Sequence, residues 1–326
     1  MKVASYIAAL IGLAIATVLI AWQGVDTLAA SLAAAGWAML LLGPLYIPVM
    51  VLDTWAWGRL LPREVSPSFA VLMRGTWISF GVNWLLPVAQ VGGELVKARL
   101  IAQRGVAGAV AGASVVADKT VQATTQAIFA LVGVGILSGL GSGAELVPGI
   151  VVFIALLAGL VYLFYRMQRM GLFKFLAGGA ARFLRGGFAL ELKGGAEALD
   201  RALLEIYGRR RDFLASAAWR LGGRFYNVTE VWVALYLLGH PVSVVEALML
   251  ESLGQAVRAA AFLVPGAIGV QEGGYILLGH LVGLGPEISL SLSLMKRVRE
   301  LMIGVPGLLV WQAAEGRLLW SRDGSR

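Results

Sequence analysis

The sequence predicts an all-α polytopic membrane protein, with about six transmembrane helices plus two re-entrant helical hairpins arranged as an inverted repeat. Three observations point there. Of the 326 residues, 59% are hydrophobic and only 14% are charged, against about 25% charged in soluble domains. The apolar residues are gathered into blocks, and crossing a ~30 Å hydrocarbon core takes about 20 of them in a helix. The blocks are continuously apolar rather than alternating, which argues against a membrane β-barrel.

Taken in order, residues 3–22 form the first block. Lys2 and the run after it fit a secretory signal only weakly: the run is long and no clear A-x-A site follows, so a retained first helix is expected. Residues 37–57, 110–137, 147–165, 212–238 and 287–312 supply five more spans, several with embedded charges. The whole of 1–326 then reads as one integral membrane domain.

Lys and Arg mark the cytoplasmic side of a membrane protein. They crowd into 166–211, with ten from Arg166 to Arg211, recur at Arg59 and Arg63, and return in the tail at Arg317, Arg322 and Arg326. Segments 23–36, 138–146, 239–243 and 283–286 hold none and read as outside loops. Both termini are therefore expected in the cytoplasm, with the protein a multi-pass resident of the cell inner membrane. The net charge of +8 reflects topology, and no nucleic acid partner is expected.

Basic residues flank 69–96 on both sides, at Arg59 and Arg63 before it and at Lys97, Arg99 and Arg104 after it. A full crossing would put one set outside. A hairpin entering and leaving by the cytoplasmic face, about 69–104, satisfies both, with its turn in LLPVAQVGGE at Pro87, Gly92 and Gly93. Residues 244–282 lie between two outside loops, and a second hairpin opening outward would turn at Pro265, Gly266 and Gly269. Broken backbone at membrane depth is tolerated only where protein or a wet cavity surrounds it. The first repeat then covers 58–165 and the second 212–313, joined by a basic amphipathic cytoplasmic connector at 166–211.

A shift of 178 residues lays Pro87 on Pro265, Glu94 on Glu272, Gly105 on Gly283 and Lys119 on Arg297. Identity along these stretches is low. The weight rests on the kinds of residue matched: a proline, an intramembrane glutamate, a glycine and a base, in one order. Inverted repeats with broken helices hold substrate near the bilayer midplane in many transporters.

An ionisable group at the bilayer centre costs about 3 kcal/mol on insertion scales. The first half nevertheless embeds Glu94, Lys97, Arg99, Asp118 and Lys119. The second embeds Arg220, Arg224, Glu230, Glu251, Arg258, Glu272, Lys296, Arg297, Arg299 and Glu300. Such residues pair with one another or line a polar cavity. The expected headgroup site comprises Glu94, Lys97, Arg99, Asp118, Lys119, Arg258, Glu272, Lys296 and Arg297, bases holding phosphate or hydroxyl oxygens and glutamates orienting them. The bland alternative is that these charges only neutralise each other and cap broken helix ends. The tryptophans near predicted helix ends, such as Trp37, Trp55 and Trp311, read as an interfacial belt.

There are no cysteines, and His240 and His280 sit in no ligand pattern. Thiolate catalysis and sulfur-bound metal are excluded, no metal or other cofactor is expected, and the chain does not read as an enzyme. No G-x-x-x-x-G-K-[ST] loop is present, so movement of cargo would be downhill, proton-coupled or assisted.

The segment NWLLPVAQVGGELVKARLIAQRGV, then GASVVADKTVQ, and later VPGAIGVQEGG resemble the membrane domain of the lysylphosphatidylglycerol synthase/flippase family. The resemblance covers nearly the whole chain and looks closest to the branch of hopanoid biosynthesis-associated membrane proteins. It implies a lipid-translocating domain whose polar residues fall at Glu94, Arg99, Asp118, Lys119 and Glu272, with a hopanoid or another polar-headed lipid as partner and cargo. Proteins of lipid biosynthesis are a second class of partner. No stretch reads as a soluble aminoacyl-transferase domain, so synthesis of a lysyl lipid is not implied.

Overall fold

The computed structural model of the protein describes residues 36–86, 92–140, 147–180, 187–261, 264 and 267–323. The expected span 3–22 and the turn residues Pro87, Pro265 and Gly266 lie outside the described residues. Among the described residues, regular structure is helical throughout. A 3₁₀ turn, Gly36–Leu41, leads into α1, Leu42–Gly58. Then follow α2, Phe69–Leu85, α3, Gly92–Ala102, and α4, Gly108–Leu140. Next come α5, Val147–Arg169, α6, Leu172–Ala180, and α7, Gly187–Gly208. The chain ends with α8, Arg210–Leu237, α9, Val244–Ala260, α10, Val270–His280, and α11, Pro286–Asp323. The five predicted spans that fall here correspond to α1, α4, α5, α8 and α11. Among the described residues two stretches, Gly36–Gly58 and Gly108–Gly139, are long and apolar enough to cross a bilayer.

The surface is inverted relative to a soluble protein. Leu156 is 69% exposed, Leu277 72% and Leu309 60%, while Glu251 is 0% exposed and Arg299 3%. In water charged side chains are almost never fully buried. This distribution is favourable only where the surroundings are hydrocarbon and the interior supplies partners.

The first helix break is local chemistry. Leu86, which precedes Pro87, is extended at φ −107°, ψ 147°, as the ring of a following proline demands. The chain re-enters helix at Gly92, and the Gly93 N–H donates to Asn83 Oδ1 at 2.9 Å. Gly93 abuts Ser79, and Gly75 lies near Lys97, so α2 and α3 form an antiparallel hairpin. A Cβ on Gly93 would collide with the Ser79 carbonyl oxygen. Gly93→Ala is therefore expected to lower the unfolding free energy in detergent by roughly 1–3 kcal/mol, read as a fall in melting temperature. Unchanged melting would show that α3 does not sit that close.

The second break has the same outline. Helix α9 starts with a capping box in which Ser243 and Glu246 satisfy each other's backbone N–H groups. Helix α10 starts where Glu272 Oε2 accepts from the Gly269 N–H at 2.6 Å, and Gly269 takes φ +81°, open to a residue without a Cβ. Gly274 lies against Val257 and Tyr275 against Gly254, making α9 and α10 a second antiparallel hairpin. At 11 residues each, α3 and α10 rise only about 16 Å, well short of the ~30 Å core. The 178-residue shift carries Gly92–Ala102 onto Val270–His280 and the first residue of α4 onto that of α11.

The largest hydrophobic cluster joins α1, α4, α8, α9, α10 and α11 through residues such as Leu42, Phe129, Val231, Leu250, Tyr275 and Leu292. Helix α8 packs along α1, and α11 along α2, where Gly81 and Gly304 let the backbones touch.

The connector is docked. Leu203 and Ile206 of α7 pack onto Ala113, Ala117 and Val121 of α4. Arg209 donates to the carbonyls of Leu60 and Leu61 at 2.7 and 3.1 Å, just past the end of α1. Asp200 accepts from the N–H groups of Phe173 and Lys174 at the start of α6, donors that a helix cannot satisfy itself. The Tyr207 hydroxyl donates to Gln168 and lies beside Thr120. Burial pushes this phenol up to about 12.

Candidate functional site: a charged cavity between two broken helix pairs

The embedded charges form three networks around one hollow. The first is built at the start of α3. Lys119 of α4 meets Glu94 at 3.0 Å, and Lys97 meets Asp118 at 2.7 Å and Glu94 at 3.5 Å. Arg220 of α8 bridges Asp118 to Asp53 of α1, the latter at 2.7 Å. The Lys97 ammonium lies 4.2 Å from the centre of the Trp57 ring, which lowers the cost of keeping it from water.

The second network spans α8, α9 and α11. Lys296 sits between Glu230, at 2.9 Å, and Glu251, at 2.8 Å, and Arg299 meets Glu230 at 2.7 Å. Asn227, Gln255 and Tyr275 also donate to Glu251. The Arg299 guanidinium lies 4.2 Å from the Tyr46 ring centre and 4.7 Å from that of Trp84. The third network ties the second hairpin to α11. Arg258 pairs with Glu300 and donates to Gln271 at 2.7 Å, while Arg297 meets Glu272 and Glu300 at 3.2 Å each.

The pairs Glu94–Lys119 and Glu272–Arg297 are related by the 178-residue shift. Each joins the acid in the first turn of the second hairpin helix to a base on the helix that follows. Negative charge is favoured in the first turn of a helix, and Glu272 there also accepts from the Gly269 N–H.

A cavity of about 400 Å³ opens between the hairpins. Glu94 and Lys119 line it from the first half, Arg258, Gln271 and Tyr275 from the second. Lys296 and Arg299 form a further part of its lining, Arg220 and Arg224 face it from α8, and Tyr46, Phe80 and Trp84 give it an aromatic wall. Phe80 and Trp84 are stacked with centroids 4.8 Å apart.

Of the residues expected from sequence, Glu94, Lys119, Arg258 and Lys296 line this cavity. Behind the lining, Lys97 meets Glu94 and Asp118 meets Arg220, while Arg297 shares Glu300 with Arg258 and holds Glu272 in turn. Arg99 is exposed and does not line the hollow. Gly92 and Gly93 open α3, and Gly269 precedes α10. Asp53 was missed, although an aspartate inside an apolar block is the very signal that identified the others. The aromatic wall left no such mark, because aromatic residues in spans are common. Among the described residues no group of carboxylates and histidines is placed to hold a metal ion.

What the arrangement can do follows from these contacts. Buried bases with acceptors on one side and a hollow on the other can exchange a protein carboxylate for a ligand oxygen. An adjoining aromatic surface receives less polar parts of the same ligand.

A family model described as the lysylphosphatidylglycerol synthase TM region matches residues 9–307. No curated protein and no solved structure matches the chain.

Proposed function

The chain belongs to the lysylphosphatidylglycerol synthase TM-region family, and from that premise we propose that it is a lipid flippase or transporter, not an enzyme. It moves a polar-headed lipid, a hopanoid or an anionic or aminoacylated phospholipid, across or out of the inner membrane. The headgroup enters the cavity while the tails stay in the bilayer. The α2–α3 and α9–α10 pairs act as re-entrant hairpins of an inverted repeat, gating the cavity from opposite faces, with both termini in the cytoplasm.

One observation carries this reading: a single hollow is walled by ionisable side chains from both broken helix pairs, inside a protein with an apolar exterior. The helix boundaries and ion pairs that recur at one offset support the repeat. A cavity of headgroup size, closed by two short helices that cannot span, suits alternating access.

The test is a leaflet assay. The purified chain is reconstituted into vesicles carrying a trace of headgroup-labelled lipid, and a membrane-impermeant quencher is added. Translocation lets quenching run to completion, whereas protein-free vesicles stop at the outer leaflet. A plateau at the outer leaflet for phospholipids and hopanoids alike, together with stable co-purification of lipid-biosynthesis proteins, would favour a non-catalytic scaffold. A covalent change in the lipid would favour a transferase.

A further inference from the structure

We infer that the cavity binds an oxyanion, specifically the phosphate ester of a lipid headgroup, and that Arg224 is the residue that holds it. The inference rests on the transport reading only for the statement that the ligand is a lipid. The binding site itself rests on charge and geometry.

The three networks are each electrically balanced. Asp53, Glu94 and Asp118 face Lys97, Lys119 and Arg220. Glu230 and Glu251 face Lys296 and Arg299, and Glu272 and Glu300 face Arg258 and Arg297. Arg224 lines the same cavity and is left over: among the described residues no carboxylate pairs with it. Its guanidinium instead donates to neutral oxygens, the side chains of Thr125, Gln126 and Gln255 and the carbonyl of Gln122. A guanidinium has five N–H donors, and these contacts account for four. The cavity therefore carries one net positive charge in a medium where charge is expensive, and a bound anion would neutralise it.

The neighbouring donors point the same way. Arg220 Nε and Gln126 Nε2, both on residues that line the cavity, are buried without an acceptor among the described residues. Arg220 and Arg224 lie one turn apart on α8, so their side chains share a face. A phosphate ester offers several acceptor oxygens on one charge, so one oxygen can take the remaining N–H of Arg224 in a charge-assisted hydrogen bond while others face the neighbouring donors. Tyr46, Phe80 and Trp84 then accept the glycerol and the first methylenes. A neutral polyol headgroup could fill the space but would leave the charge of Arg224 uncompensated.

The test uses the full chain in detergent, with lipid retention read by native mass spectrometry. The probes are phosphatidylglycerol, a neutral glycosyl diacylglycerol with the same acyl chains, and inorganic phosphate as competitor. The wild type is expected to retain phosphatidylglycerol about tenfold better than the glycolipid. Arg224→Gln should lose that preference, and Arg224→Lys, which keeps the charge, should recover part of it. Equal retention of the two lipids by the wild type overturns the inference without reference to any variant, and so does an undiminished preference in Arg224→Gln. Displacement by inorganic phosphate equimolar with the lipid overturns the lipid assignment; retention in its presence supports it. Arg224-dependent retention in a protein that moves no lipid would sink the transport reading and leave this one standing. Transport indifferent to headgroup charge would sink this one alone.

Discussion

The double substitution Glu94→Gln, Lys119→Met is expected to bring lipid movement in proteoliposomes down at least tenfold, towards the rate of empty vesicles, while the protein still folds. The two side chains pair at 3.0 Å, and both line the cavity. Glu94 is buried and Lys119 is 31% exposed, so removing Lys119 alone strands a buried charge, whereas removing both together is often nearly neutral for stability. The amide that replaces the Glu94 carboxylate keeps an oxygen for Asn83, whose own amide donates to Glu94 at 3.4 Å in the wild type, and Lys97 keeps Asp118 at 2.7 Å. Melting temperature and size-exclusion profile should therefore stay close to wild type as transport falls. Wild-type rates in a well-folded double variant would contradict a headgroup path through this cavity.

The largest effect on stability is expected from Lys296→Met. Lys296 sits between Glu230 and Glu251 at 2.9 and 2.8 Å, and all three are buried. Without it Glu230 still has Arg299 at 2.7 Å, but Glu251 keeps only hydrogen bonds from Asn227, Gln255 and Tyr275. A buried charge stripped of its partner costs about 3–5 kcal/mol, a large part of the stability of an ordinary domain. The variant should unfold at far lower denaturant or temperature than wild type. Adding Glu251→Gln should restore much of the loss, because the stranded charge is then gone. A single variant as stable as wild type, or a double variant no better than the single, would mean that the Lys296–Glu251 contact does not hold the helices together.

The helices expected to span were visible in the sequence because a bilayer imposes length and apolarity locally. The blocks 37–57, 110–137 and 212–238 match Gly36–Gly58, Gly108–Leu140 and Arg210–Leu237 to within a residue or two at most ends. Other ends were less visible: α11 runs on to Asp323, past the expected 312, because a helix continues beyond the apolar run when nothing breaks it. The first hairpin break could be read from Leu86–Pro87, since proline constrains the residue before it wherever it occurs.

The sequence by itself therefore determined the class of protein, the end of the helix at Leu86, and the fact that ionisable residues lie among apolar ones, because each is a property of neighbours along the chain. The pairing of those charges was decided only by the tertiary structure. Lys296 and Arg297 are adjacent, yet about 100° of helical rotation sends one to Glu230 and Glu251 and the other to Glu272 and Glu300. Nothing local distinguishes Arg220, locked between Asp53 and Asp118, from Arg224 one turn later, which among the described residues meets neutral oxygens alone. Whether a buried charge is matched by a protein partner or left for a ligand depends on side chains brought in from α1, α4 and α9, at distances that sequence order does not encode.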